Sequence, residues 1–371
     1  MKYSLTRHEL RKIVSIVGAR PQFIKAAPVS CALRGIVREV LVHTGQHYDR
    51  EMSELFFEEL SIPEPQYNLG VGSGSHGWQT GQMLIRIEEV LLAERPDWVL
   101  VYGDTNSTLA GALAAVKLQI PVAHVEAGLR SFNRTMPEEH NRVLTDRVAD
   151  LLFCPTQTAV DNLAREGIAK GVHMVGDVMY DAVVHNASLA EARSDLRARL
   201  GLEPGSYALA TVHRPGNTDD PVRLRSILAA LAEIEMPVVF PMHPRTRQRM
   251  AKMGLSPTSG ARNPRFIDPV GYLDMLALEK NASLILTDSG GVQKEAYFFA
   301  VPCVTLREET EWVETVQAGW NRLVGADPVA IVQASRDFRP AGSPPSVFGD
   351  GHAAERIAQV LSGLDNQPVL P

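Results

Sequence analysis

Residues 98–132 read WVLVYGDTNSTLAGALAAVKLQIPVAHVEAGLRSF, and the fold turns on this stretch. An apolar, β-branched run at 98–102 ends in Gly103-Asp104, small and aliphatic residues at 107–118 carry helical spacing, and a second apolar run follows at 122–125. Strands that are apolar throughout are buried on both faces, and small helix residues allow close packing on a sheet, so the stretch reads as one βαβ unit. The same alternation extends outward to runs at 13–17, 40–43, 151–154 and 172–175. After a Gly/Pro break at 201–206 it restarts at 208–212, 238–241, 265–267, 284–286 and 303–306. The expectation is therefore an α/β protein with two doubly wound, Rossmann-like domains. Residues 1–175 form the first and 176–351 the second. The Pro/Gly-rich segment 339–351 reads as a loop, and 352–364 as a last amphipathic helix. Periodicity does not say where that helix packs; residues 352–371 are expected back on the N-terminal domain.

A length of 371 residues exceeds one ordinary core, which agrees with two domains. With 45% hydrophobic and 22% charged residues, the composition excludes a mainly disordered or collagen-like chain. Forty-three acids against 37 bases leave a formal charge of -6, which argues against a general nucleic-acid binder. Cys31, Cys154 and Cys303 are odd in number and set among apolar residues, so they read as buried thiols of a reducing compartment. No metal site is expected. No segment approaches the roughly 20 apolar residues of a membrane span, and the opening MKYSLTRHEL lacks a signal peptide's apolar stretch, so a cytoplasmic protein without membrane partners is expected.

Open parallel sheets bind ligands at the carboxyl ends of their strands, so the polar residues standing there matter most. Gly18-Ala19-Arg20-Pro21-Gln22-Phe23-Ile24-Lys25 follows the first strand and opens a helix. Arg20 and Lys25 near that N-terminus would suit an anion, or be two solvated bases on a surface turn. GxGxxG is absent. Asp104 ends the 98–102 strand and could simply cap the next helix. Glu126 stands on the neighbouring βα turn, where a buried carboxylate is costly without a partner or a task. Glu138 lies at a proline-initiated helix start, four residues before Arg142, and could be no more than its ion-pair partner. Three carboxylates at one sheet end exceed what capping requires, and crowded acids can hold a proton donor and an acceptor together. In the second domain, Thr287-Asp288-Ser289-Gly290-Gly291 opens a helix whose N–H groups could cradle a diphosphate. Glu295, one turn in, could take a ribose hydroxyl pair or serve the helix N-terminus. His213-Arg214 and His243-Pro244-Arg245 end two further strands and offer phosphate contacts.

The ordered series GARPQFIK, HTGQHYD, YGDTNST, HVEAGLRS, MPEEHNR, VGDVMYD, TVHR and TDSGGVQKEA spans nearly the whole chain and resembles the non-hydrolysing UDP-N-acetylglucosamine 2-epimerase family. HTGQHYD, GSGSHGWQTGQML, NTDDPVRL, HPRTR, IDPVGYLDM and LREETEWVE resemble the branch that acts on UDP-2,3-diacetamido-2,3-dideoxyglucuronate. The resemblance implies a glycosyltransferase-B-like fold with its active site in an interdomain cleft, a UDP-sugar substrate, no cofactor and a homodimer. It implies loss of the proton on sugar carbon 2 and of UDP from carbon 1, a 2-acetamidoglucal, and re-addition with a proton on the opposite face, serving surface-polysaccharide precursor synthesis. By motif position, Asp104, Glu126 and Glu138 would handle protons and Arg142 would orient them. His213 would support the departing diphosphate together with Arg20 and Lys25, Ser289, Gly290 and Gly291 would cradle the phosphates, and Glu295 would take the ribose; Arg214 and His243 would add binding groups. Arg130, Arg134, Arg307 and His140 are the candidates for a uronate carboxylate.

Two departures stand out. The family commonly follows its His-Arg pair with a residue and then glutamate, where this chain has Pro215-Gly216-Asn217. Gly72–Trp78 does not resemble the family's glutamine-rich segment tied to activation by substrate, so simple kinetics are expected. The competing readings are a hydrolysing epimerase releasing N-acetylmannosamine and UDP, a glycosyltransferase of the same architecture, and a catalytically silent UDP-sugar binder.

Overall fold

The computed structural model describes residues 10–46, 62–255 and 263–363, and the chain divides into two compact units, Met1–Ala182 with Val347–Pro371 and Val183–Ser346. Residues 47–49 of HTGQHYD, like the first nine of the chain, lie outside the described residues.

In the first unit, strands β1 (Lys12–Val17), β2 (Arg38–His43), β3 (Tyr67–Asn68), β4 (Trp98–Tyr102), β5 (Val122–Val125), β6 (Leu151–Cys154) and β7 (Val172–Met174) form a parallel sheet in the order β3-β2-β1-β4-β5-β6-β7. The order reverses between β1 and β4, which opens a crevice at their carboxyl ends. Helices His76–Glu94 and Asn106–Lys117 cover one face, burying Met83, Ile87, Ala110 and Ala114 against Val14, Ile16, Val99 and Val101. Small residues set that distance: a Cβ on Gly111 would sit 2.7 Å from Ile16 Cδ1. The last helix, Ala353–Ser362, packs on helix Arg20–Leu33, and Asp181 Oδ2 accepts from Ala354 N at 2.7 Å.

In the second unit, β8 (Ala208–Thr211), β9 (Val238–Pro241), β10 (Arg265–Ile267), β11 (Leu284–Thr287), β12 (Cys303–Thr305) and β13 (Asn321–Leu323) form a parallel sheet in the order β10-β9-β8-β11-β12-β13. Its core joins Val212, Phe240 and Leu286 to Leu224, Ile227, Leu231 and Ile331 of the covering helices. The chain enters this unit within helix Val178–Arg193.

The α/β reading with two parallel sheets is therefore correct, and β4, β5, β6, β9 and β10 begin and end where the apolar runs do. The short edge strands β3 and β13 were not anticipated, because two or three residues carry no readable period. All three cysteines are free; Cys154 and Cys303 are buried, but Cys31 is exposed on the outer side of helix Arg20–Leu33, contrary to the reading of three buried thiols. Among the described residues no helix is long and apolar enough to cross a membrane.

Glu39 on β2 carries a stability consequence. Its carboxyl accepts from Ser15 Oγ at 2.5 Å and Ser30 Oγ at 3.1 Å. Burial raises its pKa and outweighs those hydrogen bonds and the Arg34 charge. The folded state thus holds this proton more tightly than the unfolded one, so the contribution is favourable below the unfolded value and is lost as pH rises through the folded value. Glu39→Gln is expected to raise Tm at pH 7, with the gain vanishing near about pH 4, where the unfolded carboxyl is itself largely protonated. Thermal melts at the two pH values check this, and an equal gain at both would exclude the buried charge as the cause.

Candidate functional site

The first unit brings Asp104 and Glu126 to the strand ends of β4 and β5, beside β1. Gly103, directly after β4, has φ +61°; a Cβ there would lie 3.2 Å from Glu126 Oε2 and 3.3 Å from Lys25 Nζ. The glycine therefore serves both a left-handed turn and a close approach. Glu126, directly after β5, is 7% exposed and holds φ +72°, a backbone region that costs a branched-size residue strain and that clusters at functional sites. Lys25, also buried, reaches from helix Arg20–Leu33 and ion-pairs with Glu126. Asp104 is about one-third exposed and ion-pairs with the buried Arg142. Arg142 also donates to Glu139 at 3.1 Å.

Gln22 fixes this arrangement. Its Oε1 accepts from Gly18 N at 2.8 Å and Ala19 N at 3.0 Å, while its Nε2 donates to Tyr102 O at 2.8 Å and Thr108 Oγ1 at 3.0 Å. One buried amide thus ties the β1 turn to the β4 turn. Gln46 does similar work from the HTGQ segment, accepting from Ser107 N and Oγ at 3.2 and 2.7 Å.

Glu138 is half-buried in the first turn of helix Pro137–Val148 and, among the described residues, makes no ion pair with Arg142. The purely structural alternative for it, an ion pair four residues apart, is thereby withdrawn. Its neighbour Glu139 takes the structural role instead, accepting from Ser131 N, Ser131 Oγ and Phe132 N at 2.8–2.9 Å. Adjacent acids on a helix differ by about 100° of rotation, and sequence does not say which one turns inward. Arg20 is half-buried at the start of its helix. Of the bases considered for a uronate, Arg130 is consumed by Glu166, with both contacts at 2.7 Å, and by Asp146 at 2.7 Å. Arg134 and His140 are exposed, and Arg307 is buried 3.0 Å from Glu311.

In the second unit the adjacent ends of β9, β8 and β11 gather His243, His213-Arg214 and Asp288-Ser289-Gly290-Gly291. The His213 and His243 rings lie 5.3 Å apart. Ser289 caps helix Gly290–Phe298, its hydroxyl accepting from Val292 N at 3.4 Å, with Gly291 half-buried in the first turn. Gly290 is a close approach: a Cβ there would lie 3.2 Å from Glu311 Oε1 and 3.3 Å from Trp312 Nε1. Arg214 Nη2 stands 3.7 Å from Glu311 Oε1. Glu295 is buried in the same helix, beside Lys294, whose Nζ sits 3.9 Å from the Trp312 ring centroid. A helix N-terminus with a histidine and an arginine around it is an anion-binding arrangement.

Asp288, directly after β11, is fully buried. Its carboxylate accepts from His213 N at 3.0 Å, Arg214 N at 3.0 Å and Asn217 Nδ2 at 3.1 Å. Asn217 also donates to Leu306 O at 2.9 Å, so the segment that departs from the family pattern anchors the β8 and β12 ends through an amide. A polar residue that ends an apolar strand beside Gly-Gly was the available signal for Asp288; nothing in the sequence marked Asn217. Among the described residues no cluster of metal-ligating side chains occurs.

Residues 30–362 match the family model described as UDP-N-acetylglucosamine 2-epimerase. The chain is 56% identical over 356 residues to a UDP-N-acetylglucosamine 2-epimerase homolog of Methanococcus maripaludis, covering 95% of this chain and 100% of that one. It is 53% identical to the UDP-2,3-diacetamido-2,3-dideoxy-D-glucuronate 2-epimerase of Pseudomonas aeruginosa, again covering 95% and 100%. Its structure is similar, with TM-score 0.89, 47% identity and coverage of 95% and 99%, to the crystal structure of Methanocaldococcus jannaschii UDP-GlcNAc 2-epimerase in complex with UDP-GlcNAc and UDP. Two parallel α/β sheets matched to such structures make the fold glycosyltransferase-B-like. This chain, matched from residue 30 to residue 362, belongs to the UDP-N-acetylglucosamine 2-epimerase family.

Proposed function

We propose that this enzyme inverts carbon 2 of a UDP-2-acetamido sugar without net redox change or hydrolysis. A carboxylate takes the carbon 2 proton as the bond from carbon 1 to the diphosphate oxygen breaks, giving UDP and a 2-acetamidoglucal. UDP then adds back to carbon 1 and a proton reaches carbon 2 from the opposite face. The observation that carries this reading is the pairing of Asp104 with Arg142 and of Glu126 with Lys25 at neighbouring strand ends of the first unit. Two carboxylates held by separate cations beside one turn suit a reaction that removes one proton and delivers another. Glu138, half-buried on the adjacent helix, is the third candidate for proton handling.

The groups of the second unit suit the leaving diphosphate. Ser289, Gly290 and Gly291 present a helix N-terminus, His213, Arg214 and His243 stand around it, and Glu295 takes the ribose. Charge stabilisation of this kind lowers the barrier most where the leaving group develops its charge. The substrate is UDP-GlcNAc or its 2,3-diacetamido-glucuronate relative. The branch-like motifs and the 53% identity to the Pseudomonas enzyme support the second. The same reading carries a cytoplasmic homodimer that serves surface-polysaccharide precursor synthesis. Trp78, Ile85 and Leu92, exposed seven residues apart on helix His76–Glu94, form an apolar stripe suited to a second copy.

Turnover of each UDP-sugar in heavy water, followed by NMR, is expected to give epimer carrying deuterium at carbon 2. Unlabelled epimer would overturn the proton chemistry, and free UDP with N-acetylmannosamine would make the enzyme hydrolytic. Asp104→Asn and Glu126→Gln are each expected to lower kcat by about 10²–10⁴-fold while UDP still binds in calorimetry. Near-normal turnover in either variant would return that residue to a structural role. Ile85→Glu is expected to convert a dimer to monomer in sedimentation, and an unchanged sedimentation coefficient would remove the stripe from the interface.

A further inference from the structure

We infer that His124 carries a hydrogen on both ring nitrogens and, as a buried imidazolium, acts as the positioning residue that holds the Gly103-Asp104 turn for proton transfer. This rests on the reading of Asp104 as a proton-handling carboxylate.

His124 lies on β5 and is fully buried. Its Nε2 is 2.7 Å from the carbonyl oxygen of Gly103, and its Nδ1 is 2.7 Å from Asp146 Oδ1. A carbonyl oxygen only accepts, so Nε2 carries a hydrogen and donates. At the other nitrogen the choice is between a carboxylate that accepts and a carboxylic acid that donates. Asp146 Oδ2 already receives Arg130 Nη1 at 2.7 Å and Gly128 N at 3.1 Å, and two donors on one oxygen favour the anion. Nδ1 must then donate as well.

Arg130 also takes Glu166 through two contacts of 2.7 Å, so His124, Asp146, Arg130 and Glu166 form one chain of contacts. Its first three members are buried, and Glu166, about one-third exposed, ends it at solvent.

The Gly103 carbonyl is the handle. Gly103 holds φ +61° and its N donates to Val125 O at 2.9 Å, so β5 holds this residue through both its N–H and its C=O. Asp104 follows immediately, with its backbone carbonyl accepting from Asn141 Nδ2 at 3.0 Å. Releasing the Gly103 carbonyl would let the turn rotate and carry the Asp104 carboxylate away from Arg142. An error of about 1 Å in a reacting group costs on the order of a hundredfold in rate.

Three measurements test the clamp, beginning with the wild type in heavy water. Absence of deuterium at carbon 2 there overturns the parent reading, whereas the remaining two outcomes bear on His124 alone. Neutron diffraction from wild-type crystals is expected to show a hydrogen isotope on both ring nitrogens of His124, and a bare Nδ1 or Nε2 would overturn the inference without any variant having to fold. His124→Gln and Asp146→Asn are each expected to lower kcat by roughly ten- to a hundredfold with KM and UDP affinity within about threefold of wild type. A purely structural role would leave kcat per folded molecule unchanged while lowering Tm, and that result would equally overturn it.

Discussion

Burial of the Glu126 carboxylate is the constraint around which the first unit's strand ends are arranged. An ionised carboxylate removed from water needs a partner, and Lys25 supplies it from the helix that follows β1. For the ammonium to arrive, β1 and β5 must flank β4 in register, and the residue between the two charges must lack a side chain. Gly103 meets that demand, since any Cβ would press on both groups. The left-handed backbone at Glu126 is kept by the sheet, its N and that of Ala127 both donating to Phe153 O at 3.0 and 3.1 Å. Chemistry and folding are thus coupled at one point, because the ion pair exists only when three strands are assembled.

The second unit solves a similar problem with a different group. Asp288 is buried, and main-chain N–H groups with one amide satisfy it. The carboxylate thereby sets the path of the His213-Arg214 backbone. It leaves the Arg214 guanidinium to face Glu311 across Gly290. The His213 and Arg214 side chains stay partly exposed, while the Asp288 carboxylate is turned inward.

Much of the architecture was legible because parallel strands leave long apolar runs. The βαβ stretch at 98–132 became β4, helix Asn106–Lys117 and β5 with almost unchanged bounds. The carboxylates that end those strands were legible for the same reason, as polar residues placed where the apolar run stops. Short edge strands were not, since β3 and β13 have too few residues for a pattern and owe their conformation to the neighbour they pair with. Glu139 and Asn217 were missed because a helix turn and a bent loop decide which side chain faces inward.

By itself the sequence determined two α/β sheets, the strand ends that carry Asp104, Glu126, His213 and Ser289, and the family to which the chain belongs. These follow from local pattern: period, turn residues and the order of motifs. Only the tertiary structure decided who partners whom. It gave Lys25 to Glu126, Arg142 to Asp104 and Glu139, and Arg130 to Asp146 and Glu166, pairings that join residues up to 101 positions apart. Sequence spacing cannot assign them, because an ion pair depends on distance and burial, and both are set only when the strands lie side by side.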